Sequence, residues 1–195
     1  TSLALQPIAT ALFANSPFKD GKPSGWLSGR AHVWTDTDNA RCGVPSCVFD
    51  PYFGYEQWID YILDVPMYFL HRGEDYVDVA GKSFRDYLAG TLAGFEGEPP
   101  QIADFEDHIT TAFPEERLKQ YLEMRGADSG SWANICALPA YWVGLLYCDE
   151  ALAEVDDLVR DIGSDDVMAA RLSVAKDGLR GKLGSHDVAT LAKKT

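Results

Sequence analysis

The sequence predicts an α+β fold built on antiparallel strands, and three observations carry that reading. Helix-like and strand-like segments succeed one another without a βαβ rhythm, which argues against a doubly wound parallel sheet. The segments Met67–His71 and Tyr76–Val79 flank Gly73-Glu74-Asp75, the pattern of a hairpin. The 195 residues, 46% of them hydrophobic, suffice for one sizeable core, so residues 1–195 are read as a single domain.

Leu3 to Phe13 is apolar and helix-like, with Pro7 compatible only near the first turn. Asn15-Ser16-Pro17 and Asp20 to Gly25 are loop signals. Leu27 to Trp34 reads as a strand leading into the polar stretch Thr35 to Asn39. Tyr55 to Leu63 reads as a helix with Trp58, Ile59 and Ile62 on one face, broken by Asp64-Val65-Pro66. Ser83 to Ala89 is a helix with Ser83 as its N-cap and Gly90 as its stop. Gly94 to Pro100 is a loop, and Ala103 to Phe113 is a helix ended by Pro114. Leu118 to Arg125 alternates like a strand, with Leu118, Leu122 and Met124 on the core side, and Gly126 ends it. Asn134 to Tyr147 is a strongly apolar helix in which Cys136 is expected to be a small buried hydrophobe. Helices at Glu150 to Ile162 and Asp165 to Lys182 follow.

The net charge of −13 makes nucleic acid and anionic membrane surfaces poor partners, because both need clustered Lys and Arg. An anionic substrate such as a nucleotide would need local positive charge or metal ions. No apolar run approaches the roughly 20 residues of a membrane span. No secretory leader is visible, and the absence of an initiator Met reads as a processing or cloning boundary. The four cysteines, Cys42, Cys47, Cys136 and Cys148, form no Cys-x-x-Cys pair and are expected as reduced thiols in the cytoplasm.

On a strand through Leu118 to Arg125, Lys119, Tyr121, Glu123 and Arg125 share one face. Glu123 and Arg125 then stand roughly 6–7 Å apart along the strand. A carboxylate there can hold a divalent cation while the guanidinium reaches a phosphate oxygen. A solvated ion pair fits the same spacing. Arg30, between Trp26 and Trp34, suits bidentate recognition of a carboxylate, or simple packing on a tryptophan. His108, beside several acids, reads as a surface or capping histidine. There is no P-loop, no Gly-x-Gly-x-x-Gly and no Gly-x-Ser-x-Gly.

Five segments in order carry a resemblance: A-L-F-A-N-S-P-F (Ala11–Phe18), H-V-W-T-D-T-D (His32–Asp38), D-V-P-M-Y-F (Asp64–Phe69), K-Q-Y-L-E-M-R-G-A-D (Lys119–Asp128) and S-W-A-N-I-C-A-L-P-A-Y-W-V-G-L-L-Y (Ser131–Tyr147). Together they resemble the glutamate–cysteine ligases of the plant and proteobacterial class, from about Leu3 to Glu150. The resemblance implies a partial glutamine-synthetase-like fold, a curved antiparallel sheet wrapped by helices, of which this chain is the carboxyl-terminal portion. It implies ligation of L-glutamate to L-cysteine through a γ-glutamyl phosphate, with ATP as co-substrate and Mg²⁺ as cofactor, in glutathione biosynthesis. Glu123 matches the family's metal-binding glutamate and Arg125 its catalytic, phosphate-contacting arginine. Arg30, Trp34 and Tyr68 match substrate-binding positions, for glutamate at Arg30 and Trp34 and for cysteine at Tyr68.

The family's other metal-binding glutamates precede the point where this chain starts. The chain is therefore expected to be inactive alone, to partner a missing amino-terminal half, and to risk self-association through an unpaired sheet edge. A truncated paralogue that binds a full-length ligase or a metabolite is the alternative. Ala133 and Asn134 stand where many relatives carry arginines. Cys136 matches a plant redox cysteine whose partner would lie outside the chain, and Val79 replaces another, so no intrachain redox switch is expected.

Overall fold

Helix α1 (Ser2–Leu12) is buried from Leu3 through Ala11. It runs through Pro7, well past its first turn. An apolar segment buried on all sides gains enough from packing to absorb one missing backbone hydrogen bond. The computed structural model describes all of residues 1–195, which divide into two compact units: Thr1–Thr37 with Glu115–Thr195, and Asp38–Pro114.

In the first unit, α1 leads to a two-residue hairpin, β1 (Phe18–Lys19) and β2 (Lys22–Pro23). Helix α2 (Gly29–Trp34) follows, where a strand was expected. The reason is local: the Ser28 hydroxyl accepts the Ala31 amide at 3.0 Å, an N-cap that the alternation of residue types conceals.

The second unit opens with β3 (Cys42–Gly43) and continues through α3 (Tyr55–Asp64), β4 (Phe69–Arg72), β5 (Asp75–Asp78), α4 (Phe84–Leu88), α5 (Ile102–Thr110) and β6 (Phe113–Pro114). Strands β4 and β5 form the expected antiparallel hairpin, with Leu70 opposite Val77. Ser83 caps α4 by accepting the Asp86 amide, and Gly90 takes φ +71° after it. Met67, Leu70, Val79, Phe84, Tyr87 and Leu92 form the core of this unit. Helix α5 stops short of Phe113, which instead pairs in parallel with Cys42. His108 is buried rather than at the surface. Its Nε2 lies 2.9 Å from the Ile62 carbonyl and its ring stacks on Phe84, and burial holds its pKa below the usual value.

The first unit resumes with β7 (Glu116–Leu118) and β8 (Leu122–Met124), then α6 (Trp132–Leu146), α7 (Asp149–Leu158), α8 (Ser164–Asp177), β9 (Lys182–Leu183), β10 (His186–Asp187) and α9 (Val188–Ala192). The single strand expected over 118–125 is two, joined by a turn in which the Lys119 amide donates to the Tyr121 carbonyl. Leu122 consequently lies half-exposed instead of in the core. Helix α8 ends at Gly178, φ +55°, earlier than expected. In α6 only Trp142 and Leu145 are buried, and Cys136 is exposed, contrary to its apolar context. None of the four cysteines is in a disulfide.

The fold is thus mixed α+β, with its strands in five two-stranded sheets, four antiparallel and one parallel. No single helix is long and apolar enough to cross a membrane.

Candidate functional site

Asp128, at the exit of β8, ties the first unit's loops together. Its Oδ2 accepts from the Asn15 amide and the Ser16 hydroxyl, each at 2.7 Å, and its Oδ1 accepts from Ser28 at 2.7 Å. The Ser16 hydroxyl in turn accepts the Arg30 amide at 3.0 Å. The start of α2 is therefore fixed against β8 by buried hydrogen bonds to one carboxylate, the stronger kind.

This frame brings four of the five expected site residues together. Arg30 donates through Nη1 to the Gly126 carbonyl at 3.2 Å and through Nη2 to the Arg125 carbonyl. Its guanidinium carbon lies 5.9 Å from the Trp34 ring centroid, and that of Arg125 lies 5.8 Å from the same ring. Arg125 Nη1 donates to Glu123 Oε1 at 3.0 Å. Beside this group, a cavity of about 560 Å³ is lined by Ser16, Lys19, Trp26, Arg30, His32 and Trp34. Trp26 and His32 stack there with ring centroids 3.7 Å apart.

Glu123 is more heavily engaged than its sequence suggests. Arg117 is its register partner across β7–β8, so the two side chains leave the same face. Arg117 Nε lies 2.8 Å and Nη2 2.7 Å from Glu123 Oε2, and Lys119 Nζ approaches to 4.0 Å. Burial pushes the Glu123 carboxyl up, but the Arg117 hydrogen bond and the charges of Arg117, Arg125 and Lys119 outweigh it. The group is held below the usual carboxylate range.

Glu123 does not on its own fit a magnesium site. Mg²⁺ needs several hard oxygens in octahedral array. Both Glu123 oxygens are on guanidinia, and no group of three or more His, Cys, Asp or Glu in the chain is placed to hold a metal ion.

Tyr68 belongs to the second unit and has its own network. Asp38 Oδ2 accepts the Tyr68 hydroxyl at 3.1 Å and Arg41 Nε at 2.7 Å. The buried Arg41 guanidinium lies over the Tyr68 ring, 3.5 Å from its centroid, and Arg41 Nη1 donates to the Thr111 carbonyl at 3.2 Å. The Arg41 hydrogen bond keeps Asp38 below its usual pKa, while burial raises that of Tyr68. Tyr68 is thus a neutral phenol whose hydroxyl and ring are both fixed, suited to bounding a small polar substrate.

Arg117, Asp128, Asp38, Arg41 and Arg171 were not singled out from sequence. Arg171 Nε pairs with Glu115 Oε1 at 2.7 Å and its Nη2 donates to the Trp34 carbonyl at 2.9 Å, anchoring the end of α2 to β7. Asp128 and Asp38 do fall inside quoted motifs, M-R-G-A-D and H-V-W-T-D-T-D, and the hydrogen bonds above supply a physical reason for those letters. Arg117 was hidden because one uninterrupted strand leaves it without a cross-strand partner.

The first unit therefore presents a cavity lined by Lys19, Arg30 and His32 next to the Glu123–Arg125 pair. Residues 1–194 match the model of glutamate-cysteine ligase family 2 (GCS2), and the chain belongs to that family. It is 54% identical over 194 residues to glutamate–cysteine ligase A, chloroplastic, of Oryza sativa subsp. indica, covering 100% of this chain and 39% of that protein. Chloroplastic glutamate–cysteine ligases of Arabidopsis thaliana (54% over 198 residues) and Nicotiana tabacum (53% over 199) each match 98% of this chain, which covers 38% of either relative. The chain spans about two fifths of the length of these relatives. The expected cytoplasmic location is overturned by the same comparison, since these relatives are named chloroplastic.

Proposed function

We propose that this chain supplies part of the active site of a glutamate–cysteine ligase. In this reading ATP phosphorylates the γ-carboxylate of L-glutamate, releasing ADP. The amine of L-cysteine then displaces phosphate to give γ-glutamylcysteine, the first step of glutathione biosynthesis. Phosphoryl transfer of this kind is driven mainly by positioning and charge neutralisation. The observation that carries the reading is the convergence of Arg30 and Arg125 on Trp34 beside Glu123. Arg30 and Trp34 bound the glutamate site, Tyr68 the cysteine site, and Arg125 faces the transferred phosphate.

Mg²⁺ enters this reading only with carboxylates contributed from outside the chain's span, so the chain alone is expected to be inactive. An exposed apolar face supports such a partner. Trp132 is 78% and Tyr147 83% exposed, and a groove of about 620 Å³ between β8 and α6 is lined by Tyr121, Leu122, Met124, Leu138, Trp142 and Leu146. Exposed apolar patches of this sort mark interaction surfaces. We infer that they meet the remainder of a ligase polypeptide, completing a glutamine-synthetase-like antiparallel sheet, and that the protein works in the plastid.

The test mixes this chain with the separately produced remainder of a plant relative and measures ADP release that requires both glutamate and cysteine. Activity that Glu123→Ala abolishes supports the proposal. Complex formation without turnover would favour the second reading, a non-catalytic copy that binds a full-length ligase or a metabolite, to which the same apolar face also lends itself.

A further inference from the structure

In the second unit, Tyr68 is held by two groups of opposite charge. Its hydroxyl donates to Asp38 Oδ2 at 3.1 Å, and the Arg41 guanidinium covers one face of its ring, 3.5 Å from the centroid. Arg41 is itself fixed there. It is 3% exposed, its Nε donates to the same Asp38 oxygen at 2.7 Å, and its Nη1 donates to the Thr111 carbonyl at 3.2 Å. A guanidinium is a rigid plane, so these contacts set where it lies. The Asp38 carboxylate is also tied to the backbone, since its Oδ1 accepts the Ala40 amide at 3.2 Å. The charges of Asp38 and Arg41 cancel, so the clamp presents a ligand with no net charge. A phenol carries one proton and two lone pairs, and an ionised carboxylate can only accept. The one proton of Tyr68 is therefore committed to Asp38, which the Arg41 hydrogen bond keeps ionised. Toward any further group the Tyr68 oxygen can only accept. Tyr68 is half-buried, and without the clamp its hydroxyl could turn to donate or to accept.

We propose that Asp38 and Arg41 are positioning residues that make Tyr68 a fixed hydrogen-bond acceptor for a donor group, ammonium or thiol, of the amino acid that serves as nucleophile. The proposal deepens the ligase reading above and rests on it for the identity of that amino acid. The fixed polarity is a means of selection. A ligand that offers only a carboxylate or carbonyl oxygen at this point meets a lone pair and brings no proton to share, so it is disfavoured. A ligand that brings an N–H or S–H is matched, and L-cysteine carries both.

The experiment is steady-state kinetics of the reconstituted mixture, with cysteine, glutamate and ATP varied in turn. Tyr68→Phe is expected to raise the KM for cysteine at least about fivefold, the loss of one hydrogen bond, and to leave those for glutamate and ATP within about twofold. Asp38→Ala is expected to act in the same way. Asp38→Asn, whose amide oxygen still accepts the phenol proton, is expected to recover most of the loss. Because Asp38 acts through Tyr68, Asp38→Ala is expected to add nothing in a Tyr68→Phe background. Additive losses, or KM values for all three substrates rising together, overturn the proposal. L-2-aminobutyrate, which keeps the ammonium and lacks the thiol, tells the two donors apart: an effect that persists with it assigns the ammonium, and one that disappears assigns the thiol. If Asp38→Ala fails to fold, Arg41→Lys, which keeps the charge and loses the fork, takes its place. A second readout needs no turnover. In the chain carrying 13C-labelled tyrosine, the Tyr68 Cζ resonance, assigned by its absence in Tyr68→Phe, is expected to shift in Asp38→Ala and in Arg41→Lys. A resonance that stays in place overturns the clamp. That shift without turnover in the mixture sinks the ligase reading and leaves the clamp, whereas turnover with an unaltered KM for cysteine in Tyr68→Phe sinks the proposal and leaves the ligase.

Discussion

On the β4–β5 hairpin one guanidinium, Arg72, meets two carboxylates; on β7–β8 one carboxylate, Glu123, meets three cations. Arg72 donates to Asp104 at 2.7 Å, to Glu98 at 2.9 Å, to the Tyr87 hydroxyl at 2.7 Å and to the His71 carbonyl at 2.6 Å. Tyr87 closes the circle by donating to the buried Asp104 at 2.7 Å. That network lies against an apolar core and has nothing left to offer a ligand. The Glu123 network is of the opposite kind, one part-exposed acid among three cations. The first is a group that the fold depends on. The second is more open to solvent, with the Glu123 side chain 30% exposed.

The contrast predicts unequal losses of stability. Arg72→Ala leaves the buried Asp104 carboxylate without its cation, which costs about 3 kcal/mol after allowance for the part-exposed guanidinium. The midpoint of urea unfolding measures this. A loss under about 1 kcal/mol would mean that Asp104 is adequately held by the Tyr87 hydroxyl and the Gln101 amide, and the contrast would weaken.

The glycines of the two hairpins differ in the same way. Gly126, just after β8, is a glycine because of crowding: an added Cβ would meet Gln6 Nε2 at 1.8 Å and Thr10 Oγ1 at 2.8 Å. Gly73, in the β4–β5 turn, is a glycine because its φ is +66°, with open space around it. Gly126→Ala is expected to cost about 2 kcal/mol by overpacking and to displace the carbonyl that Arg30 holds. Gly73→Ala is expected to cost about 1 kcal/mol from backbone conformation alone. Thermal unfolding of the pair distinguishes them, and equal losses would show that α1 yields at Gln6.

Behind the charged face, Glu116 gives β7 a pH dependence around neutrality. Burial raises its pKa to about 7, opposed by the Ser2 hydroxyl at 2.5 Å and the amino terminus and reinforced by Glu115. The folded state thus binds this proton more tightly than the unfolded chain, where a Glu titrates near 4.3. Its contribution is fully present below the unfolded value and is lost as pH rises through about 7. Glu116→Gln is expected to remove a fall in stability of about 2 kcal/mol between pH 5 and pH 8, measured by urea unfolding at each pH. A slope that survives the substitution would move the titration to another group.

The β4–β5 region was legible in the sequence because its signals are local. The Gly-Glu-Asp turn, the Ser83 cap and the Gly90 stop each act within four residues. The β7–β8 region was half legible. Glu123 and Arg125 lie two apart, and their pairing was legible. Arg117 lies six residues from Glu123 across a turn that residue alternation does not reveal, so its role emerged only with the register. Arg30 and Trp34 were placed on the wrong element, because residue alternation conceals the Ser28 cap, whose hydroxyl also donates to Asp128, 100 residues away. Apolar α6 misled for a related reason. Hydrophobicity predicts that a surface is to be covered, and here most of that surface is exposed on the chain itself, with Cys136 beside it.

The smallest expected effect is the most informative for the comparison. Arg117→Ala removes a contact of two short hydrogen bonds, yet it leaves Arg125 on Oε1 and Lys119 nearby, so Glu123 keeps compensating charge. The Arg117 and Glu123 side chains are 14% and 30% exposed, which lets solvent take up part of the loss. The expected cost is under about 1 kcal/mol, the range of pairs open to water. A loss near that of Arg72→Ala would make Arg117 a structural ion pair and erase the difference between the hairpins.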